Sequence, residues 1–312
     1  MRHPVEEWWD EAWARTRLVE VLAGGEGPEP LDERAVLARI DSAEALEELR
    51  ALSTRGTIED DRCRCPGSTT LALRDGEGQS LGRASLHGHD ALLWEGGRFC
   101  GNLGLADPAG FLLLLARQGT ARRLALLSTR LAYALDLREG RPQFRQAGRG
   151  PHGAGLLEAR RVPGVLRTRL REVPGRECAD LDAPRVDELR GLLAEAEPDG
   201  HRRALALLAW LGRLPEPMEA GWGEGVLVRA LLCGLDPVAA AAGSGRNDDP
   251  HLVLGLLRWA DSVRTPEETA TETDAGALAD LVAPVLRRYL PPEPVRVAAE
   301  RPSGLDHPPV LP

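Results

Sequence analysis

Residues 57–104, TIEDDRCRCPGSTTLALRDGEGQSLGRASLHGHDALLWEGGRFCGNLG, are the only clearly β-like stretch in a chain whose other patterns are mostly helical. Residues 57–65 read as a strand that stops at Pro66-Gly67, a turn dipeptide. Residues 69–74 alternate and run into Asp75-Gly76-Glu77-Gly78, a hairpin signal. Residues 80–86 return, His87-Gly88-His89-Asp90 turns, and residues 91–94 go back again. The simplest arrangement is a four-strand antiparallel meander over 57–94. The fold class this predicts is α+β, mostly α. A small antiparallel β-meander packs with helices and is followed by an all-helical bundle or HEAT-like domain.

A meander gathers particular side chains at one edge. Residues i and i+2 of a strand share a face, so Cys63 and Cys65 point the same way, and His87 and His89 do likewise. The end of the first strand, the start of the second and the end of the third lie at one edge. Two thiolates and two imidazoles there suit tetrahedral zinc. Cys63, Cys65, His87 and His89 are therefore the candidate metal ligands, with Cys100 as a spare. Two other readings stay open. Cys-x-Cys is not the Cys-x-x-Cys knuckle of zinc ribbons, and the cysteines also fit as small core residues or redox-capable thiols. The histidines also fit as solvated turn residues.

The segments Cys63-Arg64-Cys65-Pro66-Gly67, Leu86-His87-Gly88-His89 and Leu105-Ala106-Asp107 resemble a recurrent segment in uncharacterised actinobacterial proteins. That segment has a Cys-x-Cys-x-Gly start, a short meander, a His near the third strand's end, and Leu-x-Asp before a helix. The resemblance covers about 60 of the 312 residues and implies no activity. It departs at the turn, where a His-His pair is replaced by His87-Gly88-His89. The same turn differs from the His-x-His-x-Asp-His metal motif of metallo-β-lactamases, since Asp90 comes one place early and no second His follows.

No lysine occurs anywhere, so all 39 basic residues are arginine. That absence removes whole classes of chemistry. A Walker A loop, a Schiff-base enzyme and a protein kinase each need a lysine. No Gly-x-Ser-x-Gly elbow and no His-Glu-x-x-His helix are present either.

The flanks are read as helices over 4–23 and 31–53, then a helix over 108–118 opened by Asp107-Pro108. Residues 121–137 lean helical. These make an N-terminal α+β domain, 1–137. Residues 138–182 form an Arg/Gly/Pro-rich linker, 183–290 a helical domain, and 291–312 a disordered tail. Helix starts at Asp236-Pro237, Asp249-Pro250 and Thr265-Pro266 are well marked. Pro284 should kink or split the last helix.

Between residues 117 and 176 fourteen arginines face four acids, a local charge of +10, whereas the whole chain carries −9. With five cysteines the count is odd, which does not suit a disulfide scaffold. The acidic first residues lack a secretory apolar core, and no apolar run reaches about 18 residues. A cytoplasmic protein without a membrane span is expected. The function that best fits these features is a non-enzymatic interaction or adaptor protein with a protein partner, its meander pinned by a structural zinc. One alternative is a small zinc-dependent hydrolase using Cys63, Cys65 and His87, with Asp90 or Glu95 as base. The other is a nucleic-acid-binding regulator acting through the Arg-rich 117–176 segment.

Overall fold

The structure, a computed structural model, describes residues 3–59, 65–99, 101–139, 161–171, 173, 175–214, 223–246, 248–261 and 273–293. The first helix, α1 (Pro4–Arg15), starts at a capping box: His3 Nδ1 accepts from the Val5 N–H, and Glu6 accepts from the His3 N–H. It stops well short of residue 23. Thr16 turns its hydroxyl back onto the Ala12 carbonyl, 2.8 Å away, and Leu18–Ala23 becomes strand β1. The expected second helix is likewise half strand: β2 (Val36–Ile40) precedes α2 (Ala43–Thr54), which Ser42 caps on the Ala45 N–H. In β1 the β-branched Val19 and Val21 fall at period two, in β2 Ala38 and Ile40 are buried at that period, and in both places a neighbouring strand supplies the ladder that a helix would otherwise have provided.

The remaining strands are β3 (Gly56–Glu59), β4 (Thr69–Arg74), β5 (Ser80–His87), β6 (Ala91–Trp94) and β7 (Asn102–Leu105). They join β1 and β2 in a seven-stranded antiparallel sheet, order β2-β1-β4-β5-β6-β7-β3. Three strands of the expected meander, β4 to β6, follow one another as predicted; β7, outside the expected 57–94, continues it, and the expected first strand is not its first member. β3 pairs with β7 at the far edge, and β4 pairs with β1 instead. Helix α2 links the two opposite edge strands, β2 and β3.

Register sets one face of the sheet. Val19, Val21, Leu71, Leu73, Ala84, Leu86, Leu92, Trp94, Leu103 and Leu105 all belong to the core. Helix α1 lays Trp9 and Trp13 edge-on against Trp94, with ring centroids 6.0 and 6.5 Å apart. The tryptophan stripe of the first helix is therefore packing. The opposite face is not bare, since Leu22, Ala72 and Leu93 are buried there too.

Helix α3 (Pro108–Arg117) is capped by Asp107 and almost wholly buried. A 3-10 segment (Ala121–Leu127) leads into α4 (Ser128–Glu139). Then come α5 (Gly164–Leu170), α6 (Ala183–Ala196), α7 (Gly200–Leu211), α8 (Gly223–Leu232), α9 (Pro237–Gly243), α10 (Pro250–Ala260) and α11 (Thr273–Tyr289). Pro284 sits inside α11 without splitting it. Asp236 and Asp249 cap α9 and α10 as their sequence signals foretell, whereas Thr265-Pro266 and residues 294–312 lie outside the described residues.

The helices after residue 183 do not stand apart as the expected bundle or HEAT-like stack. Helix α11 packs on α3, and α10 packs on the 3-10 segment. One hydrophobic cluster runs from Val5 to Leu286. Val162, Leu166, Leu170 and Cys178, from the stretch read as a linker, belong to it. Helices α7 and α10 cross at backbone distance. A β-carbon at Gly255 would collide with the Leu208 carbonyl oxygen, and one at Gly212 with that of His251.

Candidate functional site

The site lies on the sheet face away from α1, where β5 ends. Alternation puts Arg83, Ser85 and His87 on that face and Ala84 and Leu86 in the core. Ser85 and His87 are buried, at 2% and 3% exposure. The pairing Thr69↔Leu86 brings whatever precedes β4 alongside the end of β5. The preceding stretch is Cys65-Pro66-Gly67-Ser68. The Ser68 N–H donates to the Leu86 carbonyl at 2.8 Å. Gly67 has φ +78, and a β-carbon there would lie 2.9 Å from that same oxygen, so this position takes glycine.

Cys65 Sγ thereby comes 3.1 Å from His87 Nδ1. The other ring nitrogen, Nε2, lies 2.8 Å from Ser85 Oγ. Ser85 Oγ in turn donates to Glu26 Oε1 at 3.4 Å. Glu26 comes from the β1–β2 loop, which is folded over this face. The Glu26 N–H donates to the Pro66 carbonyl. The buried Arg34 guanidinium holds the same loop, donating to the Gly25 carbonyl at 2.6 Å and to Thr70 Oγ1 at 2.9 Å.

The chain of contacts has a direction. A carboxylate only accepts, so the Ser85 hydroxyl gives its proton toward Glu26. The Ser85 oxygen then accepts from His87 Nε2–H. That leaves Nδ1 to meet the sulfur of Cys65, either taking a proton from the thiol or giving one to a thiolate. The arrangement is that of a nucleophile, a base, and a group that orients the base.

The sequence reading brought four ligands together, and the structure joins two of them, Cys65 and His87. Cys63 and Cys100 lie outside the described residues. His89 faces elsewhere: its Nε2 lies 3.2 Å from Asp90 Oδ2, without the alignment of a hydrogen bond. Burial pushes its pKa below the ordinary value, Asp90 opposes that shift, and Arg130 adds to it. Among the described residues no three His, Cys, Asp or Glu side chains gather as a metal site. A tetrahedral zinc holds its sulfur and nitrogen ligands about 3.5 Å apart, from bonds of about 2.3 and 2.0 Å. The 3.1 Å seen here is direct contact.

The two candidate bases are also engaged elsewhere. Asp90 pairs with His89 and Arg130. Glu95, held at φ 52, accepts the Arg83 N–H at 2.6 Å and so finishes the β5 ladder. Sequence reasoning missed Ser85 and Glu26. Period-two spacing from His87 points to Ser85; nothing local points to Glu26. The convergence itself was expected from a β3–β4 pairing that does not exist. The β4–β5 register achieves it instead.

Among the described arginines of the 117–176 segment, Arg123, Arg130 and Arg167 are half-buried and the rest exposed, but several pair within the chain. Arg117 pairs with Asp280, Arg130 with Glu293, and Arg169 with Glu188. Arg123 donates to the Ser68 carbonyl, and Arg138 stacks on Tyr289 at 4.2 Å. Among the described residues no single helix is long and apolar enough to cross a membrane. The apolar pair α8 and α9 bends by 80° and is buried in the core. Comparison with known proteins finds no matching family model, no matching curated protein and no matching solved structure.

Proposed function

We propose that Cys65 is an activated thiol, with His87 as its base and Ser85 and Glu26 as the groups that orient the base. The observation that carries this reading is the contact of Cys65 Sγ with His87 Nδ1 at 3.1 Å, at the end of a hydrogen-bond chain that starts from a carboxylate. An imidazole bound at both nitrogens is well placed to hold a proton, and an adjacent cation favours the thiolate. Cys65 is an exposed residue and His87 a buried one.

The adaptor reading has less support. Among the described residues the exposed large apolar side chains, Val36, Tyr133 and Val165, lie on three different elements and mark no docking patch. The nucleic-acid reading is weakened by arginines that pair within the chain. Zinc is the competing reading at the same two side chains, and one preparation separates the two.

Alkylation by iodoacetamide, followed at each cysteine by peptide mass spectrometry, is the test. Cys233 is exposed and serves as the reference thiol in the same molecule. Cys65 should keep its rate below about pH 7, where an ordinary thiol slows about tenfold per unit. His87→Gln should return Cys65 to the Cys233 profile. Identical profiles in the wild type would refute the reading. So would a Cys65 that reacts only after chelation, with about one zinc per chain in the untreated protein.

A further inference from the structure

We infer that Arg34 is a positioning residue for the Cys65 thiol and acts on it through Glu26. The inference rests on the reading of Cys65 as an activated thiol and adds what fixes the far end of its hydrogen-bond chain.

Ser85 and His87 stand on a strand, whereas Glu26 stands on the β1–β2 loop, where residues 24–27 read Gly-Gly-Glu-Gly. Such a backbone has little stiffness of its own. A carboxylate on it orients Ser85 only if the loop is held. One buried side chain does the holding. Arg34 Nη1 donates to the Gly25 carbonyl at 2.6 Å, and Nη2 donates to the Gly27 carbonyl at 3.5 Å. Nη2 and Nε both donate to the Glu29 carbonyl, at 3.0 and 3.2 Å. The acceptors at 25 and 27 flank Glu26 on either side. The guanidinium is a planar fork of fixed shape, so these carbonyls cannot shift against one another without losing a bond.

The same fork ties the loop to the sheet at the place that matters. Arg34 Nη1 donates to Thr70 Oγ1 at 2.9 Å, and that hydroxyl donates to the Gly24 carbonyl at 2.8 Å. Thr70 is the residue directly opposite Ser85 in the β4–β5 register. Opposite residues of an antiparallel pair share a face. Arg34 therefore sets the height and position of Glu26 against the very rung that carries Ser85. Without the fork the carboxylate leaves Ser85 Oγ, and the hydroxyl is free to turn away from His87. The Nε2–H of His87 then loses its fixed acceptor, and the ring no longer holds one tautomer and one orientation toward Cys65 Sγ.

Arg34→Gln, Glu26→Ala and the double variant are compared with the wild type, each as the full chain. Alkylation of Cys65 by iodoacetamide near pH 6 is measured against Cys233, and the His87 Nε2–H proton is followed by NMR. Arg34→Gln should slow Cys65 by about tenfold and leave Cys233 unchanged. Glu26→Ala should do the same, and the double variant should be no slower than either single one, because the two residues act in series. The His87 Nε2–H signal should exchange faster with water in all three. Arg74→Gln breaks ion pairs with Glu20 and Asp32 elsewhere on the sheet and should leave the Cys65 rate unchanged. If Arg34→Gln does not fold, Thr70→Val takes its place with the same expectations. An unchanged Cys65 rate in Arg34→Gln, an additive loss in the double variant, or an equal loss in Arg74→Gln would overturn the inference and leave the activated thiol standing. If wild-type Cys65 does not outpace Cys233, both readings fall together.

Discussion

Ser85 separates a buried imidazole from a carboxylate on another loop, and its single hydroxyl serves both. Ser85→Ala removes the oxygen that His87 Nε2 meets, at a site 3% exposed. The expected stability loss is about 1–3 kcal/mol, seen as a lower denaturant midpoint. Cys65 alkylation near pH 6 should slow as well, and a change in stability alone would not produce that. His89, two residues beyond His87, behaves differently. Its folded pKa lies below the ordinary 6.5, chiefly through burial. The unfolded chain then binds more protons near that pH, so the contribution is fully present above about 6.5 and is lost as pH falls through the folded value. Urea midpoints compared between about pH 7 and 5 should fall less steeply in His89→Asn than in the wild type. Equal slopes would show that His89 does not govern this window.

Elements in the C-terminal half follow local signals closely. The helix starts at Asp236-Pro237 and Asp249-Pro250 need no tertiary partner, because the cap and the ring act on their own first turn. Asp249 accepts from the His251 N–H at 3.0 Å and the Leu252 N–H at 3.3 Å. Asp249→Ala should cost about 0.5–2 kcal/mol, read from thermal or denaturant unfolding, and Asp249→Ser should restore most of it. The first forty residues show the opposite behaviour. Val5, Trp9, Ala12, Trp13, Thr16 and Val19 fit a helical stripe in sequence, yet the helix ends at Arg15. Val19 and Val21 also fit a strand. The deciding partners, Leu73 and Leu71 of β4, lie about fifty residues away in sequence. No window of a dozen residues contains that information.

At the scale of the molecule, the cluster from Val5 to Leu286 predicts that the sheet and the late helices unfold together. Leu286 is fully buried on α11, which packs on α3. Leu286→Ala should cost about 2–5 kcal/mol. In native-state hydrogen exchange that loss should appear equally in the slowest amides of β4, on the other side of the core. Loss confined to α11 would show two independent bodies. The α+β class, the β4–β6 part of the meander, the capped helices and the candidacy of Cys65 and His87 were determined by the sequence alone. Each depends on periodicity or turn chemistry within a few residues. Strands β1 and β2, the pairing of β3 with β7, and the burial of Val162, Leu166, Leu170 and Cys178 were decided only by the tertiary structure. So was the step from a ligand list to a directed Cys65–His87–Ser85–Glu26 chain. Register placed a loop residue, Glu26, above a strand 59 residues further along. Hydrogen-bond direction, which comes from a carboxylate's inability to donate, exists only once those groups touch.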